Sequence, residues 1–136
     1  MRKHLEIIEV ILIIVIVALL LSVQTDFVTF NDHVRISTPL PDQKITSPLL
    51  IKGEARGTWF FEADFPVILT NWDGLIIAEH YATAEGKWMT ESFVPFTATL
   101  EFEKPEYGER GTLILQKSNP TGFPEFDDAV EISILF

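Results

Sequence analysis

With 136 residues, no cysteine and a formal charge of -10, the chain has room for one domain and a short accessory segment. The lack of thiols removes disulfides, thiolate metal sites and a lipobox together. The acidic balance argues against nucleic acid as a partner, because a surface that neutralises phosphates needs clustered Lys and Arg.

The hydrophobic fraction of 47% is inflated at one end, where Val10 to Val23 is apolar throughout except for Ser22. Arg2 and Lys3 precede this run, so the positive-inside bias predicts a cytoplasmic amino terminus with the rest of the chain outside. Leu5 to Val23 spans about 28 Å as a helix, enough to cross a bilayer if Glu6 and Glu9 sit near the cytoplasmic face. A cleaved signal is the alternative, with the mature chain beginning near Gln24. Cleavage wants small residues one and three positions before the cut, and Leu20 stands at the position upstream of Ser22. The expectation is an uncleaved anchor over residues 1–24. A pilin-like stem is a further alternative, since Glu9 is the fifth residue of Leu5 to Glu9, but His4 stands where a leader ends in Gly.

Residues 25–33 are polar and short, and read as a linker or a first edge strand. From residue 34 to 136 the pattern is that of strands. Val34 to Ile36 opens one that Thr38-Pro39 stops, and Pro41-Asp42 supplies a turn. Pairing restarts over Ile45 to Arg56. Pro48 is tolerable there only at a strand's start or at an edge, which predicts a strand that switches sheets. Ile51, Ala55, Val67 and Leu69 alternate with polar neighbours at the two-residue period of a half-buried sheet, and Gly53 and Gly57 mark turns or close backbone approaches.

Pro66 to Trp72 and Leu75 to Thr83 flank Asp73-Gly74, which predicts a two-residue type I′ hairpin with positive φ at both central positions. Phe96, Ala98, Leu100 and Phe102 alternate with Thr and Glu over Phe93 to Glu103, so one face is buried and one wet. Gly111 to Lys117 and the stretch containing Val130, Ile132 and Ile134 add two more strands, and Tyr107-Gly108 reads as a corner between strands, with Tyr107 a candidate tyrosine corner. Seven to eight strands at this spacing predict an all-β, immunoglobulin-like β-sandwich, preceded by one transmembrane helix.

Several of these residues also carry a family resemblance. Val34 to Ile36, the series Pro39, Ser47, Pro48, Leu49, Gly53, Ala55 and Gly57, and the step Phe61-Glu62-Ala63 together resemble the bacterial spore germination immunoglobulin-like domain. The similarity runs on through Asp73-Gly74 to the end of the chain. It implies a sandwich fold and a binding or scaffolding role in the cell envelope, without naming a ligand.

Catalytic and metal-binding patterns were not found. His4, His33 and His80 are far apart and have no ligand spacing. Nucleophile elbows, phosphate loops and dinucleotide fingerprints are absent. Glu62 and Asp64, two apart on an extended segment, read as a solvated acidic edge, and Asp127-Asp128 as loop acids. No cofactor is expected and no enzyme activity. In the aromatic run, successive side chains of an extended segment point to opposite faces. Phe61 and Trp59 are therefore expected inside and Phe60 outside, and Gly57, Trp59 and Phe60 form the candidate partner-binding surface. The expected partners are the membrane, through the amino-terminal helix, and another envelope protein or a cell-wall component. The whole reads as a membrane-anchored extracytoplasmic module.

Overall fold

The structure, a computed structural model, describes residues 1–21 and 26–136. The end of the apolar run at Val23, the alternative cut near Gln24 and the boundary between anchor and linker lie outside the described residues. Helix α1 (Arg2–Leu21) has 20 residues, about 30 Å at 1.5 Å per residue, and none of them is buried. By length and composition it is able to cross a bilayer.

The rest is β. The strands are β1 (Val28–Thr29), β2 (Val34–Thr38), β3 (Leu49–Arg56), β4 (Asp64–Thr70), β5 (Ile76–Ala84), β6 (Phe93–Leu100), β7 (Arg110–Gln116) and β8 (Ala129–Leu135). All neighbours in the order β1-β2-β3-β6-β5-β4-β7-β8 are antiparallel. The sheet curls into two facing halves, because β5 and β6 meet only at Thr83 opposite Thr97 and Ala84 opposite Phe96. The period-two patterning decides which residues go inside. Leu49, Ile51, Gly53 and Ala55 of β3 are buried, as are Val94, Phe96, Ala98 and Leu100 of β6. From the other half, Phe65, Val67 and Leu69 of β4, Leu113 and Leu115 of β7, and Val130, Ile132 and Ile134 of β8 meet them in one core. Phe65 and Phe96 join the halves edge to face, with ring centroids 4.9 Å apart. Each such side chain contributes roughly 1.5 to 3 kcal/mol of burial.

The segment before β3 changes partners as Pro48 suggested. Asp42 and Ile45 donate their amides to the carbonyls of Ser133 and Leu135 at 2.7 and 2.8 Å, and the Leu135 amide returns a bond to Gln43 at 2.9 Å. Lys44 thus forms a parallel bridge with Leu135 and covers the outer edge of β8. Past Pro48 the same chain pairs with β2 and β6 in the opposite half.

The segment expected as linker or edge strand supplies β1, and Phe30 packs against the core. Arg35 lies between the rings of Phe27 and Phe93, 5.0 and 4.1 Å from their centroids, and pairs with Glu54. Glu54 and the two rings hold this guanidinium against the sheet.

Three sequence expectations need correction. The connection at Asp73-Gly74 is not a two-residue turn, because only Gly74 has a positive φ, at 77°. The side-chain oxygen of Asn71 accepts from the amides of Asp73 and Leu75, both at 2.9 Å, and Asn71 N–H donates to the Leu75 carbonyl, so the turn closes around Asn71. Tyr107 is exposed rather than tucked into a corner. Phe102 falls just beyond β6, half-buried, with its ring against Phe136 at 5.8 Å.

Candidate contact surface

The aromatic run lies at one end of the sandwich, where β3 hands over to β4. Gly57–Trp59 forms a single 3₁₀ turn after β3, with Phe60 N–H bonded to the Gly57 carbonyl at 3.2 Å. Gly57 is required by contact. A Cβ there would stand 1.9 Å from the Thr90 carbonyl oxygen and 2.2 Å from that of Trp88, where the β5–β6 loop crosses. Because three residues fill one turn, the two-residue alternation is interrupted and two consecutive rings point inward.

This overturns the expected burial of the two phenylalanines, while Trp59 is inside as expected. Trp59 is 1% and Phe60 5% exposed, whereas Phe61 is 47% exposed. The Trp59 indole stacks with His33 at 6.2 Å, and its buried Nε1 has no hydrogen-bond partner among the described residues. Phe60 meets Phe65 edge to face at 5.2 Å. Of the three candidate partner-binding residues, Gly57 and Phe60 line shallow grooves with little surface of their own, and Trp59 lines neither. The accessible ring is Phe61.

Phe61 is held out by a tight turn that the sequence did not advertise. Phe61 and Asp64 exchange both backbone hydrogen bonds, at 2.9 and 3.1 Å, around Glu62 with φ 49° and Ala63 with φ 68°. That is a type I′ geometry built without Gly or Asn, at about 1 to 2 kcal/mol for each L-residue placed there. The Phe-Glu-Ala step is therefore a corner, and Glu62 and Asp64 do not share the face of an extended strand. Ala63→Gly is expected to raise stability by about 0.5 to 1 kcal/mol, less than the full relief because Gly loses more chain entropy on folding. The midpoint of a urea transition on the full chain in detergent checks it, and an unchanged or lower midpoint contradicts the strain.

Beside this corner lies the loop between β7 and β8. Ser118 ties the two together, its N–H bonding the Trp59 carbonyl at 3.0 Å and its hydroxyl the Asp64 carbonyl at 2.9 Å. Asn119 organises the loop from within. Its Nδ2 donates to the Phe123 carbonyl and to Asp127 Oδ1, both at 2.8 Å, while its Oδ1 accepts from the Thr121 hydroxyl at 2.5 Å. Phe123 and Phe126 are left 58% and 49% exposed. Between corner and loop runs a groove of about 240 Å³, floored by Phe60 and walled by Phe61, Phe126, Lys117, Ser118 and Thr121. Sequence reasoning missed Phe126, because a Pro/Gly loop gives no period by which to place a ring.

A wider concavity, about 590 Å³, lies elsewhere, on the outer face of β4 and β5. It holds Glu79, His80 and Tyr81 but neither Glu62 nor Asp64. His80 Nδ1 accepts the Tyr81 N–H at 2.8 Å. His4, His33 and His80 are all exposed, and no group of three or more metal-ligating side chains occurs among the described residues.

Searches of curated proteins and of solved structures found no significant match to the chain. A family model, the immunoglobulin-like domain of bacterial spore germination, matches residues 33–122. This span covers β2 to β7, the Phe61 corner and the first part of the groove loop, well over half of the chain. The chain thus belongs to the family of immunoglobulin-like domains of bacterial spore germination.

Proposed function

We propose that this protein is a membrane-anchored, extracytoplasmic binding module of the cell envelope, and that it works by contact rather than by catalysis. The observation that carries the reading is an apolar helix of 20 residues ahead of an immunoglobulin-like domain in the sequence, with Arg2 and Lys3 at its amino-terminal end. Two basic residues ahead of an apolar span retain that end in the cytoplasm and send the downstream domain across. Immunoglobulin-like sandwiches offer end loops, sheet faces and strand edges for contact. In this one β1 is short and Asp42 to Ile45 strap the Leu135 end of β8, whereas β5 pairs with β6 only at Thr83 and Ala84. The end loops around Phe61 combine a half-exposed ring with a groove, and we take them as the contact surface.

The cysteine-free sequence makes the topology simple to test. Lys87, exposed on the β5–β6 loop, is replaced by Cys, and intact cells are treated with a membrane-impermeant maleimide. Labelling without lysis, on a chain that stays in the membrane pellet after an alkaline wash, is the expected result. Labelling only after lysis overturns the orientation. A labelled chain recovered from the medium, beginning near Gln24, establishes the cleaved form instead.

A further inference from the structure

We infer that the end of the sandwich carrying Trp72, Leu75 and Tyr107 rests on the lipid–water interface of the membrane that α1 crosses. The inference rests on the anchored reading above and adds a second membrane contact, made by the domain itself. Its first support is the tether. The strand registers gather the end of β2, the start of β3, the turn between β4 and β5 and the connection from β6 to β7 at one end of the sandwich. β1 runs antiparallel to β2 with Val28 opposite Ile36, so the chain enters the domain from that same end. Helix α1 ends at Leu21 and β1 begins at Val28, and the chain between them spans at most about 25 Å when fully extended. The headgroup layer takes up about 5 to 8 Å of that reach. With this end on the bilayer, the Phe61 groove is held a strand length further out, about 26 Å for the eight residues of β3.

The second support is the side chains. Trp72 is 64%, Leu75 65% and Tyr107 79% exposed. They belong to one surface, because Trp72 and Leu75 share the turn closed around Asn71, and the Trp72 indole lies so close to Gly108 that a Cβ there would stand 2.3 Å from it. Trp and Tyr are the residues enriched at membrane–water interfaces, where the ring enters the acyl boundary and its N–H or O–H stays hydrated. The exposed large side chains of the far end, Phe61, Met89, Phe123 and Phe126, carry no such group. Charge selects the lipid. Within two residues in sequence of the three side chains stand Asp73, Glu106 and Glu109 and no base, so zwitterionic headgroups fit this end and anionic ones repel it. Because the anchor already holds the domain nearby, a contact too weak to recruit a free domain is enough.

The test uses the three tryptophans of the full chain as reporters, reconstituted at one chain per nanodisc in phosphatidylcholine whose acyl chains are brominated near the headgroup. Trp59 is buried and Trp88 half-buried at the Phe61 end, so Trp72 is the ring placed to meet bromine. Quenching relative to unbrominated lipid is expected in the parent chain and its loss in Trp72→Phe. Leu75→Ser with Tyr107→Ser is expected to reduce the quenching about twofold or more. Met89→Ser, at the far end and 83% exposed, is expected to leave it unchanged. Replacing about a third of the lipid by phosphatidylglycerol at low salt is expected to lower it. No quenching in the parent chain, quenching unchanged in Trp72→Phe, or indifference to the Leu75 and Tyr107 changes overturns the inference. So does loss of quenching in Met89→Ser, or quenching that strengthens with phosphatidylglycerol. Quenching that needs more than one chain per disc overturns it too, because it places a second copy on this end. The labelling of Lys87→Cys reads the anchor and its orientation independently, so failure of the quenching with labelling intact removes the domain's own membrane contact and leaves the anchored module standing.

Discussion

Phe65→Ala is expected to cost about 3 to 5 kcal/mol, the range for emptying a fully buried aromatic site. Phe65 is inaccessible to solvent and its ring touches Phe60 at 5.2 Å and Phe96 at 4.9 Å, so it sits where the two halves of the sheet and the 3₁₀ turn meet. None of these neighbours is free to collapse into the space, because each is fixed by its own strand or turn. Urea denaturation of the full chain in detergent, followed by far-ultraviolet circular dichroism, reads the loss. Phe61→Ala in the same assay is expected to cost about 1 kcal/mol or less, since that ring is 47% exposed. A reversed order of the two would place Phe61 in the core after all.

Gly57→Ala is the second large effect, expected at about 3 kcal/mol, the upper end of overpacking. One added methyl group meets two backbone carbonyl oxygens, of Thr90 and Trp88, and backbone does not rotate away as a side chain tip does. Either the β5–β6 loop is displaced or the 3₁₀ turn opens. In both cases the Gly57 N–H bond to the Ser92 carbonyl, 3.1 Å in the native fold, is disturbed. Hydrogen exchange at Gly57 and Phe60 should then rise well before global unfolding. Stability and exchange like those of the parent chain would show that the crossing is looser than described.

How far the sequence reached is clear at particular residues. Alternation placed Ile51, Ala55, Val67, Leu69, Phe96 and Ile132 on the buried face, because a sheet with one face wet requires a period of two. Pro48 marked the change from one half of the curled sheet to the other, because proline lacks the donor that a central strand needs. The same rule failed at Trp59 to Phe61, where it was applied through a turn. The 3₁₀ geometry of Gly57–Trp59 turns both Trp59 and Phe60 inward and delivers Phe61 to the surface, inverting the expected roles of the two phenylalanines. The turn at Glu62 and Ala63 was illegible for a different reason. Type I′ turns announce themselves through Asn and Gly, and neither residue is present, so only the surrounding fold holds that conformation. The second wall of the groove depends on Asn119 gathering its own loop, a network that no local pattern encodes.

The strap formed by Asp42 to Ile45 has a consequence in time as well as in space. Its partner is β8, far along the same chain, so this early segment of the domain lacks its sheet partner until β8 has been made. At about 5 to 20 residues per second the wait is on the order of several seconds. Contacts closed across so much sequence also place the domain among slow folders. Throughout that interval Ile45 and the strap's backbone lack the partners that later bury them. Whatever holds the growing chain must shield this stretch until β8 arrives.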